Sequence, residues 1–209
     1  MNSSDAEIES IIQFWLRDAD ADTTRANAQR KRWYRGGVEL DDEIRSHFGE
    51  LVDKARADNL RAWQSTPRGA LAAVILLDQF TRNLFRGTPD AYSGDQLALN
   101  VATAVVDAGR HTELSTHGQI FLFHPFHHSE RVALQDRGVQ LMKELCDSVD
   151  ESWREFMEQR VRGFSGHRDI VAAYGRFPHR NAILARETTA AEMAFLAAGA
   201  DNFGQRKPA

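Results

Sequence analysis

Apolar residues in this chain recur almost everywhere at the helical period, and no stretch alternates apolar and polar as a half-buried strand would. Ile8, Ile11, Ile12 and Trp15 stand at i, i+3, i+4 and i+7, one face of a helix of 3.6 residues per turn. Ser4 and Glu7 precede them at the spacing of a capping box. Ile44, Phe48, Leu51, Val52 and Ala55 form a second stripe, opened by Asp41 or Asp42. Thr66-Pro67 reads as an N-cap followed by proline in the first turn, where a missing N–H costs nothing, and predicts a helix to about Phe85. Ser93 with Gln96 caps a fourth helix carrying Leu97, Val101, Val105 and Ala108 and ending near Gly109. Thr116 with Gln119 caps a fifth. Pro125 interrupts it, and a longer helix resumes to about Cys146. Trp153, Phe156, Met157 and Phe164 mark the next, Ile170 to Tyr174 a short one, and Thr189 with Glu192 caps the last, which ends at Gly199. The reading is all-α, in one helical domain over residues 1–209.

Two stretches fall outside that pattern. Residues 18–40 are polar and charged apart from Trp33 and Tyr34, and read as an extended or partly ordered loop. A loop of that length is uncommon in a compact domain and points to a role; Trp33 is its candidate lid residue. The tail over residues 203–209 is expected to be loose. No 34-residue repeat is legible from spacing.

Charge narrows the function classes. The chain has 209 residues, 26 basic against 30 acidic, a net charge of −4, which argues against nucleic acid or anionic lipid as the main partner. The single cysteine, Cys146, cannot form an intramolecular disulfide, so a reducing cytoplasm is expected. No apolar run approaches the roughly 20 residues of a membrane span. Asp5, Glu7 and Glu9 stand where a signal peptide would need positive charge. Of the 26 basic residues 22 are Arg. Either composition explains that excess, or Arg is needed at particular places for its two-pronged grip on carboxylate or phosphate.

Position separates these alternatives. Along the helix from Gly69 to Arg86, Asp78, Gln79, Arg82, Asn83 and Arg86 share an arc of about 140° at 100° per residue. The opposite face, with Ala73, Leu77, Phe80 and Leu84, is apolar throughout. A helix greasy nearly all round is buried, so this polar half-face belongs in a cleft or against partners. It is either an internal clamp, Asp78 with Arg82 and Arg86 with a carboxylate elsewhere, or the lining of an anion pocket. A second knot, Phe123 to Glu130, holds His124 and His128 with Glu130 nearby. A metal would need His167 or His179 as a third ligand, across a proline and without a His-Glu-x-x-His pattern; no metal and no cofactor is expected. Ser129 lacks the Gly-x-Ser-x-Gly elbow of a nucleophile. The third, Tyr174 to Asn181, sets Arg176, His179 and Arg180 just before a short helix over residues 182–187. Cations there oppose the helix dipole unless something negative docks among them.

These segments also carry a resemblance. Leu76 to Thr88, Pro125 to Glu130 with Gln135 and Arg137, and Gly175 to Asn181, together with Phe14-Trp15, Arg32-Trp33 and Trp63 to Leu71, resemble the uncharacterised, mainly bacterial family known as domain of unknown function 924. The resemblance covers nearly the whole chain and implies a tetratricopeptide-like superhelical array of antiparallel helix pairs. It marks Asp78, Gln79, Arg82, Asn83, Arg86, His128, Glu130, Arg176, His179, Arg180 and Asn181 as motif positions. Thr81 stands where the family usually has proline, so the helix is expected to run straighter here, and His127 stands where Glu or Met is usual.

Three functional readings follow. In the first, the three segments form one cleft for a small anionic ligand or a peptide carboxylate. There Arg82, Arg86 and Arg180 grip it, Asn83 and Asn181 orient it, and Asp78 and Glu130 hold the guanidiniums. In the second, His128 or His179 is the general base of a hydrolase or transferase, with Glu130 fixing the imidazole tautomer. In the third, the cluster only staples helices, and partners bind elsewhere. Oligomeric state is left open.

Overall fold

The computed structural model of the chain describes residues 3–199. Every regular element in that span is helical, as the periodicity requires. The principal helices are α1 (Ser3–Leu16), α2 (Thr23–Arg35), α3 (Val38–Arg56), α4 (Pro67–Val74), α5 (Thr81–Leu84), α6 (Asp95–Asp107), α7 (Thr116–His127), α8 (Val132–Ser148), α9 (Arg154–Tyr174) and α10 (Ala190–Ala197). One continuous apolar core runs from Ile8 on α1 to Phe164 on α9.

The axis of the molecule is the rod formed by α4, a π turn over Ile75–Phe80, and α5. Thr66 caps it as the sequence predicts, accepting from Gly69 N at 3.1 Å. From Gly69 to Thr81 every residue of the rod is buried, because α1, α3, α6 and α7 all pack on it. The predicted helix is interrupted between Val74 and Thr81 by that π turn. The π turn widens the rod in its middle, and Thr81 Oγ1 donates to Leu77 O at 2.7 Å beside it. Small residues let neighbours come close: a Cβ on Gly94 would lie 2.2 Å from the Leu77 carbonyl oxygen. From α6 onward the packing is consecutive, α6 on α7, α7 on α8, α8 on α9.

The largest correction concerns residues 18–40, which are not a loop. Asp22 accepts from Arg25 N at 2.8 Å and starts α2. The helix buries so thin a stripe, Ala26 and Trp33 seven residues apart, that no amphipathic pattern shows in the sequence. Trp33 is not a lid. It is 7% exposed, its Nε1 donates to Trp15 O at 2.8 Å, and its ring meets Phe121 edge-on.

Caps and boundaries shift elsewhere. Residues 3 and 4 already lie inside α1. α3 opens at Val38, which places Asp41 within its first turn. The N-cap of α6 is Gly94, because Ser93 Oγ is used on Asp90 O and by Arg56 Nε. α7 is capped one residue earlier than expected, by Ser115 onto Gly118 N. Pro125 falls within the last turn of α7, two residues before its end, so it costs one backbone bond and the break comes after His127. Ile170 to Tyr174 is the end of the long α9, stopped by Gly175 at φ 71°. Residues 182–185 form turns, with Ala185 at φ 51°, and 186 and 187 have no regular structure. The Thr189–Glu192 capping box is present. The tail over residues 203–209 lies outside the described residues.

These contacts predict opposite outcomes at two glycines. Gly94→Ala drives a methyl into backbone and costs about 3 kcal/mol or more. Gly166→Ala, on a face of α9 with nothing within 4 Å, stabilises by about 0.5–1 kcal/mol through helix propensity. Urea unfolding of both variants checks this. A harmless Gly94→Ala would contradict the close approach of α6 to the rod.

Candidate functional site

The π turn sets the site. It holds Asp78, fully buried, facing the C-terminal end of α7. His128 Nδ1 donates to the Asp78 carboxylate at 2.8 and 3.0 Å, and the Gln79 amide donates to it as well. On its other side Arg82 Nη1 lies 3.2 Å from Asp78 Oδ1 and donates to the Asp78 carbonyl at 2.7 Å. Arg82 then reaches Asp95, at the start of α6, through Nη1 at 2.8 Å and Nη2 at 3.0 Å. Arg180 lies 3.6 Å from that same Asp95 carboxylate, and its Nη2 donates to His128 O at 3.0 Å. The contacts close on themselves: His128, Asp78, Arg82, Asp95, Arg180 and back to His128.

The two guanidiniums in this ring are not equivalent. Burial opposes the charge of Arg82, but Asp78 and Asp95 together outweigh it and its pKa rises. At Arg180 burial dominates, Asp95 compensates only in part, Arg82 repels, and the pKa falls. Arg180 is 6% exposed and sandwiched between the rings of Tyr92 and Phe177, 4.7 and 4.5 Å away. Its Nε and the Tyr92 hydroxyl are both buried with no hydrogen-bond partner among the described residues. Burial also raises the Tyr92 pKa, so the hydroxyl keeps its proton.

The remaining motif residues belong to other groups. Arg86 is locked to Asp41 through Nε at 2.8 Å and Nη2 at 3.1 Å, and Asn83 donates to the same carboxylate at 2.8 Å. This is a clamp between α3 and α5. Glu130 does not fix an imidazole. It accepts two bonds from Arg186, at 2.7 and 3.0 Å, and one from Phe177 N at 2.8 Å. Asn181 accepts from Arg186 Nε at 3.0 Å. Arg176 pairs with Glu192 at 2.7 and 2.9 Å. With no helix over residues 182–187, the dipole offers no reason for the cations before it; the counter-charge of Arg180 is Asp95. Three of the missed residues, Asp95, Tyr92 and Arg186, carry no motif signal, although Asp95 in a helix first turn is where a carboxylate is favoured.

A bank of imidazoles, buried at His124 and His127 and half-buried at His128 and His167, borders the ring. The centroids of His127 and His167 are 3.7 Å apart, His127 and His128 5.2 Å, and His124 and His128 5.5 Å. His124 Nδ1 contacts Ile120 O at 2.8 Å. Among the described residues no three His, Cys, Asp or Glu side chains are arranged to hold a metal ion. Burial first, then neighbouring positive charge, holds the pKa of His127 and His128 well below the ordinary value. His167 and His179 are each lowered to about 3, again chiefly by burial.

A histidine whose folded pKa is depressed is charged only in the unfolded chain at intermediate pH. Its contribution is complete above about pH 6.5 and is lost as pH falls, by about 1.4 kcal/mol per unit for each such histidine. The urea midpoint is therefore predicted to drop between pH 6.5 and 4.5, before carboxylates titrate. His127→Phe, which keeps the stack on Phe164, flattens that drop. A midpoint constant across this range would contradict the neutral imidazole bank.

Comparison with known proteins places the chain. No curated protein matches it. The solved structure of a protein of unknown function from Agrobacterium tumefaciens matches with a TM-score of 0.79 and 31% identity, covering 94% of this chain and 100% of that one. No helix among the described residues is long and apolar enough to cross a membrane. The model of the family described as bacterial protein of unknown function (DUF924) matches residues 11–200, and the chain belongs to that family.

Proposed function

We propose that this chain is a cytoplasmic binder of a small anion, a phosphate- or carboxylate-bearing ligand whose charge is taken by Arg180. The observation that carries this reading is the imbalance within the ring. Arg82 is satisfied on both sides, whereas Arg180 is a buried cation with a weak counter-charge, and its Nε and the neighbouring Tyr92 hydroxyl have no partner among the described residues. An unmet buried donor costs about 1–3 kcal/mol, more when charged, and an anion arriving past the half-buried His128 and His179 relieves that cost. Of the eleven motif residues, Arg180, His128 and His179 face the ligand in this reading. Asp78, Gln79 and Arg82 hold the ring, and Arg86, Asn83, Glu130, Asn181 and Arg176 are structural. The consecutive packing of α6 to α9 supports a tetratricopeptide-like array as the scaffold.

Sulfate is the probe. At ten times its Kd a ligand stabilises by about 1.4 kcal/mol, so sulfate is expected to raise Tm beyond chloride at equal ionic strength. Arg180→Gln abolishes that increment, and Tyr92→Phe, which removes one hydroxyl and keeps the ring, weakens binding several-fold. Arg86→Met breaks a buried pair and costs about 3–5 kcal/mol, yet keeps the increment. An increment untouched by Arg180→Gln and Tyr92→Phe would end this reading.

A second reading, hydrolysis or group transfer with His128 as base, is favoured by one observation. Asp78 takes the Nδ1 proton of His128 in a hydrogen bond, which leaves Nε2 as the basic atom. A screen of anionic esters, phosphoesters and amides is expected to find turnover in wild type that His128→Gln loses; equal turnover in both would remove the base.

A further inference from the structure

We infer that this chain pairs with a second copy of itself through α10, the two helices lying antiparallel with their uncharged faces in contact. Seven of the eight residues of α10 are apolar, and the exception is Glu192. A surface helix ordinarily turns its apolar side inward and its charges outward. α10 does the reverse. Glu192 is 2% exposed and is the one residue of the helix that is buried. Its carboxylate accepts from Arg176 at 2.7 and 2.9 Å and from Thr189 N at 2.8 Å. Ala190, Met193, Ala194 and Ala197 stand at i, i+3, i+4 and i+7 and all face solvent, Met193 with 55% of its surface exposed. Phe195 and Leu196 are half-buried at the edges of this stripe, and the Phe195 ring lies 4.9 Å from that of Tyr174 on α9.

An isolated helix of two turns is unstable in water. The capping box and the Arg176–Glu192 pair are therefore what hold α10 in place with its apolar side outward. The family match runs through α10 to residue 200, so the helix belongs to the shared domain. Contiguous exposed apolar surface of this kind marks a contact site. Charge selects the occupant. From Thr188 to Ala200 the sole ionisable side chain is Glu192, and it is spent on Arg176, so a charged partner finds nothing on this face to pair with. Two copies of a chain of net charge −4 repel one another, and they meet at least cost where neither presents a charge. A two-fold axis across α10 sets the same stripe against itself and places the two helix dipoles head to tail. The spacing of the stripe is that of a helix–helix seam, and its alanines let the two backbones approach. The residues that follow Gly199 in the sequence include one large apolar side chain, Phe203, among Asp201, Arg206 and Lys207, a poor composition for covering the stripe from within the chain. The pairing does not depend on what Arg180 binds.

A helix of this length spans about 12 Å, so the contact lies at the small end of specific interfaces. Pairing is expected to be weak and reversible, with a dissociation constant of about 10–100 μM. Sedimentation velocity of the full chain over a concentration range that brackets those values tests it. The weight-average coefficient should rise with concentration from that of a monomer toward that of a dimer and stop there. Met193→Glu and Ala194→Glu are each expected to weaken pairing at least about tenfold, because each puts an unpaired carboxylate into both halves of the contact. Both positions are exposed in the single chain, so both variants keep the wild-type thermal midpoint measured at a concentration where the monomer dominates. Met193→Leu keeps the pairing. A chain that stays monomeric over the whole range would overturn the inference. Pairing undiminished in both glutamate variants would overturn its assignment to α10, and growth beyond the dimer would overturn the closed two-fold contact.

Discussion

Two carboxylates, the buried Asp78 and the half-buried Asp95, share one guanidinium, and the rest of the site depends on that sharing. Arg82 is placed to bridge them because Asp78 sits four residues earlier on the same rod and Asp95 opens the helix packed across it. Removing Arg82 would leave the buried Asp78 without its cation, which is far costlier than never having built the network. The same bridge fixes the chemistry beside it. Asp78, anchored on one side by Arg82, orients His128 on the other. Asp95, drawn toward Arg82, is left at 3.6 Å from Arg180 and compensates it only weakly. The unmet charge at Arg180 is thus a consequence of how well Arg82 is met.

Three further ion pairs stand around this ring, and their work is mechanical. Asp41 with Arg86 joins α3 to α5, Glu130 with Arg186 ties the α7–α8 junction to the turn after α9, and Arg176 with Glu192 fastens α10. They share a form, a fork-shaped cation on a carboxylate, with the grip an anionic ligand would receive. This is why motif residues that look alike in sequence divide so sharply in space.

The helical class was legible because its signal is local. Thr66-Pro67, the Thr189–Glu192 box and the stripe from Ile44 to Ala55 each follow from steric and hydrogen-bonding rules within a few residues. α2 was not legible: a helix that buries only Ala26 and Trp33 has too few apolar contacts to leave a period. The caps at Ser115 and Gly94 were missed by one residue for different reasons. Ser115 and Thr116 have equivalent hydroxyls, and Gly94 is set by the approach of the Leu77 backbone, a tertiary contact. At the site, the convergence of Asp78, Arg82, His128 and Arg180 could be anticipated from polar residues on greasy elements. Which carboxylate serves which cation could not. Asp95, Asp41 and Arg186 lie in unremarkable surroundings, and pairing across 13 to 56 residues is decided by packing.

The claim on which the functional account turns is that the buried Nε–H of Arg180, without a partner among the described residues, is a donor still to give. Proton–nitrogen correlation spectra of arginine side chains read that donor directly. The account predicts that the Arg180 Nε–H resonance moves saturably as sulfate is added, while that of Arg86, already bonded to Asp41, stays in place. An Arg180 resonance that does not move, or an Arg86 resonance that moves equally, would contradict it.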